Sequence, residues 1–223
     1  MTIMRKKRRF EILLAIFLSG AAACAIAQAK YMAAEVAAAD NFMPPWNSTA
    51  SGIVVLGVSL DATGAVVGVD ALRDLPPVTN SAKSAVQSWR FKPALAGSDP
   101  QPSDLLAIFV VPPAVSFPTY PRFPSLPPEA GSISGYVLPG IVSASYAQYP
   151  VNSIVSGSVV IQVTVGANGK ATAWQTVRAL DPCTRFARDA AKKWSFRAAT
   201  LDGQPVASKI AIDFIFQPPL TTQ

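Results

Sequence analysis

Large aliphatic residues at every second position predict two β-hairpins in this chain. In residues 158–165 every second residue is valine or isoleucine, the period of a strand with one face on a core. Asn168-Gly169 then gives the strongest short hairpin signal in the chain, and residues 170–177 form the returning strand. A similar pattern occupies residues 54–60 and returns at residues 65–72 after an Asp-Ala-Thr-Gly turn. The chain therefore contains two predicted antiparallel hairpins.

A helical segment and a third strand follow each hairpin. Apolar residues recur at helical spacing, so one face of each helix packs on its hairpin. The third strands are residues 105–111 and 209–216, where apolar side chains are dense. The inward-facing helical residues are Ala82, Ala85, Val86 and Trp89 in the first segment and Ala187, Ala190, Ala191 and Trp194 in the second.

The two halves are related by an internal repeat. Sliding the chain by 105 positions places Trp89-Arg90-Phe91-Lys92 on Trp194-Ser195-Phe196-Arg197 and Gly64 on Gly169, without a gap. Roughly a third of the aligned positions are identical, which indicates an internal duplication. Two copies joined by a linker favour two domains rather than a solenoid, which needs at least three stacked units.

The predicted fold class is α+β, with two tandem small domains. Each is a β-β-α-β unit whose three-stranded antiparallel sheet is covered by one helix. A segment with seven prolines separates them and is expected to be a stiff polyproline-type spacer. The predicted division is an export segment at 1–29, an Ala-rich lead-in at 30–43 that is a short helix or disordered, copy one at 44–111, the Pro-rich linker at 112–128, copy two at 129–218 and a tail at 219–223.

The N-terminal residues are typical of an export signal. A basic run at residues 5–9 precedes an apolar core at residues 12–18 and an A-x-A-like cleavage site, Ala27-Gln28-Ala29. Three interpretations stay open: a cleaved signal peptide, an uncleaved membrane anchor, and a lipid-modified Cys24. In each of them the rest of the chain is exported, and contact with a membrane is expected only through this segment.

Charge and composition exclude several classes of function. The formal net charge is +6, but the N-terminal basic run supplies most of it, so binding to nucleic acid has little support. The chain contains no histidine, the usual general base and metal ligand, and only two cysteines. The acidic residues show no pairing for acid-base chemistry. We therefore predict no catalytic residues, no metal and no cofactor.

Copy two resembles the C-terminal domain of TonB-family proteins. That family's pattern is Tyr-Pro, Gly-x-Val-x-Val, an Asp-Gly or Asn-Gly turn, a helix ending in Trp-Arg-Phe-x-Pro-Ala, then Gly-x-Pro-Val and a Val/Ile-Phe strand. Copy two carries Tyr149-Pro150, Asn168-Gly169 and Trp194-Ser195-Phe196-Arg197, with Ala198 where proline is usual. Copy one keeps Trp-Arg-Phe-Lys-Pro-Ala at residues 89–94 but has Pro44-Pro45 in place of Tyr-Pro.

The resemblance implies a non-enzymatic periplasmic module that binds an extended peptide of an outer-membrane transporter or another envelope protein. A short sheet has open edges where a peptide can add as a further strand. By position, the segment ahead of Pro150 and the last strand are the candidate partner-binding site. Its predicted residues are Ala147, Gln148, Tyr149, Lys209, Ala211, Asp213 and Ile215, whereas Ile210, Ile212, Phe214 and Phe216 are interpreted as core.

Two departures from the family limit this expectation. An energy-transducing member has a functional histidine in its membrane helix and a long Pro-rich stalk before the domain, and this chain has neither arrangement. A role that draws on the proton gradient in the family's usual way is therefore not predicted. The alternative hypothesis is structural: the two copies pair edge to edge, within one chain or between chains, and the protein self-assembles.

Two further features, a pair of tryptophans and a basic helical face, each have a structural and a functional interpretation. Trp89 and Trp194 are expected in the core because each ends an apolar helical stripe. A basic face on the second helix is typically solvated, and its functional interpretation is binding to an acidic partner or an anionic lipid surface. The residues of that basic face are Arg185, Arg188, Lys192 and Lys193.

Overall fold

The computed structural model describes residues 31–114, 123–129 and 131–218. The interpretations of the export segment, of the middle of the Pro-rich linker and of the C-terminal tail lie outside these residues. Within the described ranges, no helix is both long and apolar enough to cross a membrane.

Residues 31–111 form a first unit of eight strands and one helix. Its elements are β1 (Tyr31–Met32), β2 (Glu35–Ala38), β3 (Gly52–Leu60), β4 (Val66–Arg73), α1 (Val78–Ser88), β5 (Arg90–Lys92), β6 (Ala94–Ala96), β7 (Asp99–Gln101) and β8 (Ser103–Val111).

Residues 136–216 form a second unit with the same order of elements. These are β9 (Tyr136–Val137), β10 (Gly140–Ser143), β11 (Gly157–Val165), β12 (Ala171–Arg178), α2 (Cys183–Ala191), β13 (Ser195–Arg197), β14 (Ala199–Leu201), β15 (Gln204–Val206) and β16 (Ser208–Phe216). Each strand begins and ends 105 positions after its counterpart in the first unit.

The long strands of both units form one six-stranded sheet in the order β12-β11-β16-β8-β3-β4. Within each unit the pairing is antiparallel, whereas β16 and β8 pair in parallel at the centre. Mixed α+β structure is therefore confirmed, but the expectation of a separate three-stranded sheet in each unit is corrected. The third strand of each unit uses its remaining edge to bind the other unit's third strand.

The two helices lie on opposite faces of this sheet. The twofold rotation that exchanges the parallel strands β8 and β16 has its axis along these strands. The same rotation therefore exchanges the two faces of the sheet. Accordingly, α1 packs in a first core with Val54, Leu56 and Phe109, and α2 packs in a second core with Ile161 and Ile212. Each core also takes residues from the other unit's strands: the first includes Val160, Ala211 and Ile215, and the second includes Ile53, Val55, Leu106, Ile108 and Val110.

A strap from each unit covers the part of each face that the helix leaves open. We call residues 31–43 the first strap and residues 136–148 the second strap. Ala34, Val36 and Phe42 of the first strap are buried in the first core, and Leu138 and Ile141 of the second strap are buried in the second core. Each face is thus closed by one helix and one strap, which buries both sides of the central strands.

These straps correct two expectations about irregular segments. The lead-in predicted as a short helix or a disordered stretch instead forms β1 and β2, which pair with β6 and β5. The end of the Pro-rich linker is packed: Leu126 pairs with Ile141, and the rings of Phe123 and Tyr146 lie 4.4 Å apart. Residues 123–128 are therefore not a free spacer.

Gly64, in the turn between β3 and β4, packs against the backbone of Phe91 in β5. Gly64 has φ +86°, and a Cβ atom there would lie 2.6 Å from the carbonyl oxygen of Phe91. The hairpin turn is folded against β5, so any side chain at this position meets rigid backbone.

We expect Gly64→Ala to lower the free energy of unfolding by about 2–4 kcal/mol, since it combines a steric clash with left-handed backbone strain. The matched control is Gly203→Ala, because Gly203 has φ +75° and a Cβ atom added there would have no neighbour within 4 Å. It should cost only about 1 kcal/mol from strain. Urea denaturation followed by circular dichroism measures both, and equal losses would show that the contact with Phe91 is unimportant.

Candidate protein-interaction surfaces

The last strand, which the sequence singles out, is a central strand. Residues of β16 pair with β11 on one side and with β8 on the other, for example Ile212 with both Ile161 and Ile108. Its backbone groups are therefore already used within the sheet. A peptide can add at this strand only if β8 first leaves, because a strand has no third edge.

The predicted partner-binding side chains of β16 face the first strap. Ala211, Asp213 and Ile215 are buried, and Ala211 and Ile215 belong to the first core. Lys209 makes an ion pair with Glu35, which also pairs with Lys92 at 2.7 Å. Lys209, Ala211 and Ile215, which the sequence predicts to bind a partner, thus contact the first strap. Their role in binding a separate protein stays a prediction.

Hydrogen bonds fix the first strap across the second unit. The backbone N–H of Val36 donates to Oε1 of Gln162 at 2.7 Å, and that of Phe42 donates to Oγ of Ser158 at 3.1 Å. In return, the N–H of Ser158 donates to Oδ1 of Asn41 at 2.9 Å. The first strap therefore occupies this face of the second unit as an extended ligand would, with backbone groups satisfied by side chains of the sheet.

A buried carboxyl lies under this strap. Asp213 is fully buried, and neither of its carboxyl oxygens makes a hydrogen bond to the described residues. Burial raises the pKa of Asp213 to about 7, while the neighbouring Ser158 hydroxyl and the Arg178 charge act in the opposite direction. The pKa of Glu35 is lowered, mainly by its hydrogen bonds to Lys209 and Lys92. We therefore expect the contact between the first strap and the sheet to depend on the protonation of Asp213 and Glu35.

The segment ahead of Pro150 ends the second strap. Ala147 is buried in the second core, and the Tyr149 hydroxyl donates to the Val155 carbonyl at 2.8 Å. The ring of Tyr149 lies 6.4 Å from that of Phe216. Gln148 is exposed. These residues lie near the end of β16, but only Gln148 presents its side chain to solvent.

The remaining predicted surface, the basic face of α2, is exposed. Arg185 lies over the ring of Phe186 at 4.6 Å, and Lys192 is 3.9 Å from Asp189. Arg188 donates to the Trp174 carbonyl at 3.0 Å, which places it along β12. As expected, Trp89 and Trp194 are buried in the cores, together with Ile210, Ile212, Phe214 and Phe216.

The free edges of the six-stranded sheet are its two outer strands, β4 and β12. Among the described residues, no strand pairs with the outer side of either one. The two edges differ, since the guanidinium of Arg188 already occupies the Trp174 carbonyl of β12. On β4, Val67 is 67% exposed, and Asp70 and Ala71 are exposed beside it. The sequence pattern predicts these strands, but not that they become the outermost ones.

Potential metal ligands form no cluster in the described ranges. No group of three or more Asp, Glu, Cys or His side chains is placed there to hold a metal ion. Cys183 is buried as a free thiol, and burial raises its pKa, so it is not an activated nucleophile.

The second unit matches a known family. Residues 145–218 match the family model described as Gram-negative bacterial TonB protein C-terminal. The matched segment is about a third of the 223-residue chain and contains β11, β12, α2 and β16. No curated protein and no solved structure matches this chain.

Over these residues the chain is similar to the TonB C-terminal family, whose domains are protein-interaction modules. The match does not extend to the first unit. That the first unit is a second domain of this family stays a prediction, which rests on the common offset of 105 residues and on the order of the elements.

Proposed function

We propose that this chain is an exported, non-enzymatic protein-binding module that acts as an adaptor in TonB-dependent transport at the cell envelope. Its partner is an extended segment of an outer-membrane transporter or of another envelope protein. Support comes from the family match over residues 145–218 and from the free outer edges of the sheet. The module lies in the periplasm, delivered by the N-terminal export segment.

The single observation that carries the binding mode is that no strand of the described residues pairs with the outer side of β4. An extended segment that pairs there gains backbone hydrogen bonds and continues the sheet as a seventh strand. β16 cannot serve without the loss of its bonds to β8, and β12 has one carbonyl taken by Arg188. We therefore place strand addition at β4 and assign Val67, Asp70 and Ala71 to the contact.

A pair of adjacent proline variants tests this assignment. Neighbouring residues of a strand direct their N–H groups to opposite sides, so either Asp70→Pro or Ala71→Pro removes an outward donor from β4 and keeps the pairing with β3. Both side chains are exposed, so neither change empties the core. The variant that keeps the wild-type circular dichroism spectrum is the one to use.

The expected result is a loss of affinity of at least about tenfold for a labelled peptide copied from the periplasmic end of a TonB-dependent transporter. The matched controls are Gln175→Pro and Thr176→Pro, the positions 105 residues later in β12. Fluorescence anisotropy on the full chain gives the affinities. Unchanged affinity in the folded β4 variant, or a loss only in the β12 variants, would contradict strand addition at β4.

A second candidate function is structural, and the parallel pairing of β8 with β16 favours it. This pairing is the edge-to-edge contact of the two units that self-assembly requires, already made within one chain. The same edges, β4 and β12, would then join successive chains. Sedimentation equilibrium over a wide range of concentration separates the two functions, because the adaptor stays monomeric while the structural protein forms larger assemblies.

A further inference from the structure

Two loops of the protein protrude at the same end of the sheet. They are residues 44–51 and 149–156, which precede the first residues of β3 and β11. Since β8 and β16 are parallel, and β3 and β11 are each antiparallel to them, β3 and β11 start at the same end. Two strands separate them, so the loops leave the sheet about 14 Å apart, at roughly 4.8 Å per strand.

Each loop holds an apolar side chain out in solvent at the same position of the repeat. In the first loop the N–H of Ser48 donates to the Pro45 carbonyl at 2.9 Å, and in the second the N–H of Ser153 donates to the Pro150 carbonyl at 3.3 Å. These tight turns project Trp46, which is 96% exposed. Its counterpart in the second loop, Val151, is 88% exposed, and Ile154 is 89% exposed.

The exposure of these side chains is unusual for a well-packed protein. Trp89 and Trp194 are almost completely buried, so the fold does have room for tryptophan in its cores. An apolar residue at the outermost position of both turns is not required by the turns themselves, since polar residues favour such positions. We call Trp46, Val151 and Ile154 the apolar tips.

The end of the sheet that carries the apolar tips has no charge on its four central strands. Residues 41–60 and 141–169 contain no Asp, Glu, Lys or Arg, and neither do residues 112–114 and 217–218, where β8 and β16 end. Among the described residues, the two arginines on the outer strands at this end are both engaged: Arg73 with the Pro124 carbonyl and Arg178 with the Ser158 carbonyl. Exposed acidic residues, Asp40, Asp74 and Asp181, flank this end, since their neighbours Asn41, Leu75 and Leu180 lie against Gly157 and Gly52. The apolar tips themselves are therefore the uncharged part of this end.

We propose that the apolar tips insert into the interfacial region of a lipid bilayer, so that this end of the sheet rests on a membrane surface. Tryptophan suits this region because its ring is apolar and its N–H can bond to water or headgroups. Separate protrusions, each of one or two side chains, enter a fluid bilayer without a shaped pocket, whereas a protein partner needs a complementary surface. This membrane contact is additional to any contact of the N-terminal segment.

The opposite end of the sheet is where the described chain begins. Tyr31 pairs with Ala96 and lies near Asp104, beside the start of β8. Nine residues of β3 separate that end from the apolar tips, a distance of about 30 Å. The first described residues thus lie at one end of the sheet, and the apolar tips lie at the other.

Brominated-lipid quenching on the full chain tests the proposal. Vesicles of phosphatidylcholine, with some of the lipid brominated in the acyl chains, quench tryptophan that enters the bilayer. We expect quenching of wild-type emission that disappears in Trp46→Phe, because the other tryptophans of the described ranges are buried or half-buried. Because the contact is apolar, quenching should be equal at low and high salt.

Two further variants separate the apolar tips from the rest of the chain. Val151→Ser with Ile154→Ser should weaken vesicle binding, measured by Trp46 quenching, by about tenfold. Met32→Ser, which changes an exposed apolar residue at the opposite end of the sheet, should leave vesicle binding unchanged. The N-terminal segment is present in every variant, so it does not produce these differences.

Three results would overturn the proposal. The first is co-sedimentation of the chain with vesicles but no quenching of Trp46, which would mean that another segment binds the lipid. The second is binding that requires anionic phosphatidylglycerol and is abolished by salt. The third is self-association without vesicles that Trp46→Ser abolishes, which would assign the apolar tips to a contact between copies of this chain.

Discussion

Phe109→Ala is expected to lower the free energy of unfolding of the whole chain by about 3–5 kcal/mol. Phe109 is fully buried in the first core, with its ring 4.8 Å from that of Phe42 and 5.6 Å from that of Trp89. Phe42 lies in the first strap and Trp89 follows α1. A cavity at Phe109 therefore loosens both the first strap and α1, which cover the same face of the sheet. β8, which carries Phe109, also pairs with β16 of the second unit.

The matched variant is Phe214→Ala, at the same position in the second unit. Phe214 is fully buried, and its ring is 6.0 Å from that of Trp194 in the second core. Because the two units share one sheet and exchange core residues, both variants should shift a single cooperative urea transition, seen alike by fluorescence and circular dichroism. Two transitions, with only one of them moved by each variant, would show that the units unfold as independent domains.

Stability is expected to fall as pH rises from about 4 to about 7, and Asp213→Asn should abolish that fall. The pKa of Asp213 is raised to about 7 by burial. The folded protein therefore binds a proton that the unfolded chain has released. The free energy of unfolding therefore begins to fall once the pH exceeds the pKa that Asp213 has in the unfolded chain. The loss is complete above its pKa in the folded protein and amounts to ~4 kcal/mol.

Urea midpoints measured between pH 4 and 8 check this slope. The control is Asp70→Asn, since Asp70 is exposed on β4 and should leave the slope unchanged. Glu35 acts in the opposite sense: its pKa is lowered by Lys209 and Lys92, so its contribution is present above its unfolded pKa and is lost as pH falls through the folded one. A wild-type curve that stays flat up to pH 8, or one that Asp213→Asn does not change, would contradict the role given to Asp213.

The pairing of β16 with β8 limits where a partner can add to the sheet. The strand that the family resemblance points to, β16, is held at the centre of the sheet. The first strap lies over one of its faces: Glu35 pairs with Lys209 of β16, and the strap's backbone bonds to the neighbouring strand β11. A module of this kind offers a partner only the outer edges, unless the two units separate. This is why strand addition is assigned to β4 in the proposed function.

The straps show where sequence patterns fail. β1, β2, β9 and β10 are two to four residues long, too short to display a period of two. They are extended because of distant contacts, such as that of Val36 with Gln162, 126 positions away. An Ala-rich stretch has a helical propensity of its own, and these tertiary contacts override it.

The sequence by itself determined the long strands, the two helices, the buried tryptophans and the family resemblance of the second unit. Those features depend on residues that are close together in the sequence, through their alternation, their helical spacing and their turn residues. Only the tertiary structure decided that the third strands pair in parallel, that the helices lie on opposite faces, and which edges and loops stay open. The backbone groups of a strand are the same at an edge and in the centre, so no side-chain pattern distinguishes β16, which is paired on both sides, from β4, which is not.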